Sequence, residues 1–219
     1  MAKDKRKQTN FDPKSLVTGR GPGQSRVTFA PNQVIYAQGD SGDAAYYIES
    51  GWVKISAVSP NGKEAVVAIR GEGEFFGTRC LVTGRTGTTS ALTACAAIRI
   101  TKSALIRLLR EEPDFAVLFA KILVCQSIHD QENLVDHLTN SAEKRLARAL
   151  VQLANAEEGG DSRPISTPIN QGILASMIGT TRPRISFFMN KFKRDGLIEY
   201  RRDGGLRVHD GLRKFLLEP

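Results

Sequence analysis

Residues 114–138 run for 25 positions without glycine or proline. That is near the upper end for a globular helix, and a helix so long spans domains or pairs with a partner. It divides the chain into two unlike parts. Before it lie short apolar or alternating runs at Val34–Tyr36, Tyr46–Ile48, Trp52–Ile55, Ala65–Ile69 and Ala96–Ile100. Turn-forming residues separate them: Gln38-Gly39-Asp40, Ser41-Gly42-Asp43, Ser50-Gly51 and Pro60-Asn61-Gly62-Lys63. Many short strands at about 8–12-residue spacing predict a sandwich or barrel, with a hairpin at Pro60-Asn61-Gly62. Residues 102–110 form a short helix ending near Pro113. After the long run, helix resumes at 141–157 with Ser141 placed to cap it, and a polar linker follows at 158–164.

The long run carries two apolar stripes. Val124, Ile128, Gln131, Val135 and Leu138 follow 4-3-4-3 spacing, and Phe115, Leu118/Phe119, Ile122 and Cys125 form a second. A helix with two stripes can pack on its own domain and on a symmetry mate. One broadened stripe is the alternative.

Charge is unevenly distributed. Residues 1–26 carry seven Lys/Arg against two acids, residues 27–138 ten against twelve, and residues 139–219 fourteen against nine. The whole chain stands at +8, which favours a polyanionic partner such as nucleic acid. The first 26 residues, polar, basic and Gly/Pro-rich, read as a mobile arm. No run of 18 apolar residues predicts a transmembrane helix, and Met1–Lys7 has no apolar stretch of a secretory signal. Cys80, Cys95 and Cys125 form no CxxC or Cys/His cluster, so neither a disulfide framework nor a metal or iron–sulfur site is expected. The expected compartment is the cytoplasm. His129 and His137 lie eight apart on the long helix and lack further ligands, so surface or dimer-interface positions suit them better than a metal. No nucleophile–base set, P-loop or paired acidic motif points to an enzyme, and no cofactor is implied.

The strongest signal lies at 168–200. A helix is predicted from Pro168 to Met177, then a tight turn at Ile178-Gly179-Thr180-Thr181, where Gly179 can supply positive φ. A second helix follows from Arg182 to Asp195, with Thr181 as N-cap, Pro183 in the first turn and Gly196 past the end. Leu197–Tyr200, Asp203-Gly204-Gly205 and Leu206–Val208 read as a hairpin, making a wing. At 100° per residue, Ile185, Phe188, Met189 and Phe192 cluster in one buried sector. The opposite side presents Pro183, Phe187, Asn190 and Arg194, flanked by Arg182, Ser186, Lys193, Arg184 and Lys191. Such a cationic, hydrogen-bonding face suits a major-groove reader. Phe187 there is either an ordinary exposed aromatic or a contact for thymine methyls.

These motifs resemble the CRP/FNR superfamily of transcription regulators. Gln171-x-x-Leu174-Ala175-x-x-Ile178-Gly179-x-Thr181-Arg182-x-x-Ile185 is similar to its winged helix-turn-helix. Gly39-Asp40-x-Gly42-Asp43-x-x-Tyr46-Tyr47-Ile48 with Ser50-Gly51-x-Val53-Lys54 is similar to the first half of its cyclic-nucleotide-binding β-roll. Gly71-x-Gly73-x-Phe75-Phe76-Gly77 is similar to the approach to its phosphate-binding cassette. After the basic arm (1–26), the resemblance implies an α+β chain: an antiparallel, jelly-roll-like β-roll sensor (27–112), a long dimerisation helix (113–138) and a winged helix-turn-helix (139–219). It further implies a homodimer on inverted-repeat double-stranded DNA, with half-sites about one helical turn (roughly 34–36 Å) apart. RNA polymerase is a further partner if the protein activates.

The chain departs from that family in its sensor. Cyclic-nucleotide-binding members follow the cassette glycine with Glu, which takes the ribose hydroxyl; here Thr78 follows Gly77. They place Arg before a Ser/Thr-Ala pair to grip the cyclic phosphate; here Thr89 precedes Ser90-Ala91. Thr offers one hydrogen bond in place of a charge-assisted fork. Arg79 and Arg85, in the same segment, are either plain surface charge or substitute anion contacts, and Cys80 beside them is either packed or redox-active. The expected ligand pocket is Gly77, Thr78, Arg79, Arg85, Thr89 and Ser90. The recognition helix departs as well: Pro183 replaces a commonly acidic position, and Phe187 a commonly basic one. Arg182 is expected to carry most of the base readout, aided by Arg184, Ser186 and Asn190. Thr181, Lys191, Lys193, Arg201 and Arg202 complete the expected DNA-binding set, its basic members mostly on phosphates. The leading expectation is a regulator that binds DNA without cAMP. The alternatives are an effector-dependent regulator and an adaptor acting by protein contacts.

Overall fold

The computed structural model describes residues 17, 19–82, 84–155, 162–165, 169–201 and 205–217. Most of the expected arm, Thr83, much of the linker, Pro168, and Arg202 to Gly204 of the wing lie outside the described residues.

The short runs become two four-stranded antiparallel sheets. One has the order β1 (Gln24–Phe29), β8 (Cys95–Thr101), β3 (Ala44–Ser50), β6 (Phe75–Phe76); the other β2 (Val34–Tyr36), β7 (Thr88–Ala91), β4 (Val53–Val58), β5 (Glu64–Arg70). The central strand β3 is almost wholly buried, so its two faces feed two apolar layers. Ala45, Tyr47, Ile98 and Ile100 face one, and Ala44, Tyr46, Ile48 and Phe76 the other. β3 and β8 are locked in register by Ala45↔Ile100 and Tyr47↔Ile98, because a one-residue slip would exchange those layers. The hairpin at Pro60-Asn61-Gly62 joins β4 to β5, closed by Ser59 N–H donating to Lys63 O at 2.9 Å.

Within the segment expected as an arm, Val17 is buried in the first apolar layer, and Gln24–Arg26 pair with Ile98–Ile100 as the start of β1. The free edge of β8 offers those backbone groups partners that outweigh their polar side chains. The long helix α2 spans Pro113–Thr139, following α1 (Lys102–Glu111). Its 27 residues extend about 40 Å.

α2 docks on the β-roll through Phe115 and Phe119, both buried, and the Phe119 ring meets Phe75 edge-on at 5.6 Å. Cys125 does not continue this stripe and is exposed. Past Ile122 the inward side becomes polar: Gln126 Nε2 donates to Phe75 O at 3.3 Å, and Asp136 is buried. The other stripe, Val124, Ile128, Val135 and Leu138, is exposed on this single chain.

The C-terminal lobe comprises α3 (Ala142–Asn155), β9 (Ser162–Ile165), α4 (Gln171–Ile178), α5 (Arg182–Arg194), β10 (Ile198–Tyr200), β11 (Leu206–His209) and α6 (Asp210–Leu217). Ser141 caps α3, its Oγ accepting from Lys144 N–H at 3.3 Å. The three strands form one antiparallel sheet in the order β10-β11-β9. Leu146, Leu150, Leu174, Ile185, Phe192 and Leu212 make the core.

Candidate nucleic-acid interface and sensor pocket

The helix–turn–helix forms for the reasons its residues give. Asn170 caps α4, its side chain accepting from Ile173 N–H at 3.0 Å. Gly179 ends α4 at φ 69°, a left-handed conformation that costs a β-carbon-bearing residue more. The backbone then turns directly into α5. Thr181 holds the N-cap position, but its side chain makes no capping hydrogen bond. An N-cap oxygen accepts from the second or third helical N–H; Pro183 removes the second, and the third, of Arg184, is not bonded to Thr181 either.

On α5 the buried sector is the expected one: Ile185, Phe188, Met189 and Phe192 are all within the core. Thr181, Arg182, Arg184, Phe187, Asn190 and Lys193 are exposed, and Ser186 is half-buried. Lys191 is half-buried, and its Nζ pairs with Glu143 of α3 at 2.7 Å. It braces the helix against α3, so its charge is partly neutralised before any phosphate arrives. Lys193 Nζ lies 5.7 Å from the Tyr200 ring centre, and the Arg184 guanidinium 5.9 Å from that of Phe188. Arg201 is exposed at the start of the wing turn, its N–H bonded to Gly205 O at 2.8 Å. Arg202 lies outside the described residues.

In the β-roll, Gly77, Thr78, Arg79 and Arg85 line one cavity of about 150 Å³, together with Tyr36, Phe76 and, from α2, Gln126 and Asp130. Thr89 and Ser90 do not line it. Thr89 is fully buried, paired across the sheet with Tyr36 and Ile55. Arg79 is exposed, as plain surface charge would be. Arg85 is not: its side chain is 2% exposed. Its Nη2 donates to Ala44 O at 2.7 Å, its Nη1 to Gly77 O at 3.0 Å, and Asp43 Oδ1 lies 3.4 Å away. Its guanidinium stacks over the Tyr36 ring at 4.0 Å. Asp43 is shared with Arg99. A β-carbon on Gly77 would meet Arg85 Nη1 at 2.7 Å, so this glycine makes room for the cation. Arg85 Nε and Thr89 Oγ1 are buried without a hydrogen-bond partner of standard geometry. Burial raises the Tyr36 phenol above its ordinary pKa, against the opposing pull of the Thr89 hydroxyl and Arg85. Burial likewise raises the Cys80 thiol, which favours the packed reading over the redox-active one.

Tyr36, Asp43, Gln126 and Asp130 were not in the expected pocket. Nothing in their spacing marks them, since the fold alone brings them beside residues 77–86. Among the described residues no group of His, Cys, Asp and Glu could hold a metal ion. No helix among them is long and apolar enough to cross a membrane.

A β-roll joined by a long helix to a winged helix-turn-helix with an exposed cationic face defines a class: the DNA-binding transcription regulators. Residues 26–112 match the cyclic nucleotide-binding domain family and residues 144–213 the Crp-like helix-turn-helix domain family. The chain belongs to the CRP/FNR superfamily of transcription regulators. It is similar to the CRP-like cAMP-activated global transcriptional regulator of Mycobacterium tuberculosis (strain ATCC 25618 / H37Rv), at 27% identity over 177 residues, 78% of this chain and 79% of that protein. The nitrogen fixation regulation protein FixK of Rhizobium meliloti (strain 1021) is 28% identical over 175 residues, 80% of this chain and 78% of FixK. The solved structure of FixK2 from Bradyrhizobium japonicum shares the fold, with TM-score 0.79 at 13% identity over 90% of this chain and 98% of that one. These relatives are transcription regulators, and the chain is a DNA-binding regulator rather than an enzyme.

Proposed function

We propose that this regulator binds an inverted-repeat operator as a homodimer, and does so without cAMP. The observation that carries the cAMP-free reading is the state of Arg85. The segment that in cyclic-nucleotide-binding members supplies a phosphate-gripping Arg and a ribose-binding Glu here supplies Thr89 and Thr78. The guanidinium nearby is spent on Ala44 O, Gly77 O and Asp43. A cyclic phosphate would have to draw that cation away from partners it already holds. Hydrogen bonds to a charged group are worth about 1.5–3 kcal/mol each, so bonds to the phosphate would first have to offset those lost. Homodimerisation is supported by the exposed 4-3-4-3 stripe of α2, Val124, Ile128, Gln131, Val135 and Leu138, a seam of coiled-coil spacing that is apolar at all positions but Gln131. DNA readout is assigned to Arg182, Arg184, Ser186 and Asn190, with Thr181, Lys193, Arg201 and Arg202 on the backbone.

The experiment is operator binding by the purified apo protein at physiological salt, with and without cAMP. Specific binding of equal affinity in both supports the reading. Binding that appears only with cAMP overturns it. A second reading, effector dependence, is favoured by Arg85, which lines the cavity and whose buried Nε makes no hydrogen bond of standard geometry. It expects a compact, oxygen-bearing metabolite to alter operator affinity, and a metabolite screen by thermal shift that returns no binder would remove it.

A further inference from the structure

The outward face of α5 is not uniformly polar. Pro183 and Phe187, one turn apart, are both exposed, and Phe187 is 67% exposed. Residues four apart share a helix face, so the two form an apolar strip. Arg182, Arg184 and Asn190, all exposed, surround it. The Phe187 ring is also held from below. It meets the Phe188 ring edge-on, with centroids 5.7 Å apart and planes at 67°, and Phe188 is itself in the core of the lobe. The phenyl therefore stands out on a fixed base.

An apolar strip inside a cationic apron fits few partners. The charge selects a polyanion, and the strip must then meet whatever is apolar on it. In the major groove, base edges present donors and acceptors and a single apolar group, the C5-methyl of thymine. A phenyl laid over guanine O6 and N7 would leave both acceptors without a donor. We propose that Phe187, backed by Pro183, is a specificity-determining residue that reads the C5-methyl of a thymine in each half-site. Arg182 and Asn190 would flank it with hydrogen-bonding readout. This rests on the DNA-binding reading of α5 and is independent of whether cAMP is needed.

The test begins with selection from random duplex DNA by the full chain, with and without cAMP. The recovered site is then rebuilt with deoxyuridine in place of thymidine, one half-site position at a time, which removes only the methyl. One position is expected to cost the wild type about fourfold in affinity per half-site, or about 15-fold when both half-sites are changed, the affinity ratio that corresponds to one buried methyl-sized group each. Phe187→Ala should bind the thymine and uracil duplexes equally. Phe187→Arg should move the preference at that position to guanine. Arg182→Ala should weaken both duplexes while keeping their ratio. Each variant's Tm is measured alongside and should match the wild type, since the side chains replaced are exposed. A wild type indifferent to uracil at every position, or a Phe187→Ala protein that keeps the discrimination, overturns the inference. A site recovered only with cAMP overturns the cAMP-free reading and leaves the methyl test in force. No enriched site under either condition overturns both.

Discussion

The two lobes place their arginines in opposite ways. In the β-roll, Arg85 is turned inward, bonded to the carbonyls of Ala44 and Gly77 and laid over Tyr36. On α5, Arg182 and Arg184 are turned outward beside Thr181 and Asn190. The family frame is kept in both lobes: two sheets around a cassette in one, a helix-turn-helix and wing in the other. What differs is where the cation's donors point. An inward guanidinium holds the lobe together, and an outward one is available to a partner. The β-roll therefore has this arginine invested in its own fold, while the helix-turn-helix lobe leaves Arg182 and Arg184 open to a partner.

That contrast can be broken by mutation. The largest effect is expected at the apolar base of the reading face. Phe192→Ala empties a fully buried site in the C-terminal core and should cost about 3–5 kcal/mol, read by urea unfolding; a loss under 1 kcal/mol would mean the lobe is not built on that contact. Arg85→Ala should come next. It takes the guanidinium donor from Ala44 O in the interior and leaves Gly77 O with the N–H of Cys80 at 3.1 Å, at about 2–4 kcal/mol. A neutral result in the same unfolding assay would return Arg85 to the surface-charge reading. Arg182→Ala sharpens the comparison from the other side. It should leave stability unchanged and weaken operator binding by about 1–3 kcal/mol, focused on one base position, measured by anisotropy titration; a uniform loss over all sequences would make Arg182 a phosphate contact instead.

The smallest effect belongs to an ion pair on the outer sheet. Lys54 Nζ lies 2.9 Å from Glu64 Oε1, and that bond holds the Glu64 carboxyl below its ordinary value of 4.5. The stability it adds is present above that value and lost as pH falls through the lower folded value. Because Glu64 is largely exposed, Glu64→Gln should cost only about 0.2–1 kcal/mol at pH 7. The difference from wild type should shrink as pH falls through that lowered value; one that stays constant across the acid range would trace the effect to packing.

The C-terminal half of this picture was written in the sequence more openly than the N-terminal half. On α5 a period of 3.6 residues separates Ile185, Phe188, Met189 and Phe192 from the polar residues. Gly179 and Pro183 punctuate the turn. Strand β7 gave no such signal: its inward residues are Thr89 and Ala91, so the alternation is there but not in hydrophobicity. Strand β6 is two residues long, too short for any periodicity. β9 is defined by backbone pairing with β11 alone. Arg85 is legible as a pocket residue, but its burial is not, and for a physical reason. Its partners are mostly main-chain carbonyls, which carry no residue signature, and Ala44 stands 41 positions away. A charge pattern can reveal a salt bridge along one helix, but not a cation solvated by distant peptide groups.

The joint between α2 and α3 has a further consequence. Only Asn140 and Ser141 separate the helices. The buried carboxylate of Asp136 accepts from Asn140 Nδ2 at 2.7 Å and pairs with Arg148 Nε at 2.8 Å. Arg145 Nη1 donates to the carbonyls of His137 and Asn140 at 3.1 and 3.2 Å. Dissolved ions screen charges in open water far more than charges taken out of it. Phosphate contacts, by contrast, weaken steeply with ionic strength as displaced counterions lose their entropic advantage. The molecule thus has an elbow largely indifferent to salt and a hand that is not. A salt titration of operator binding would therefore count phosphates gripped, undistorted by loosening at the elbow.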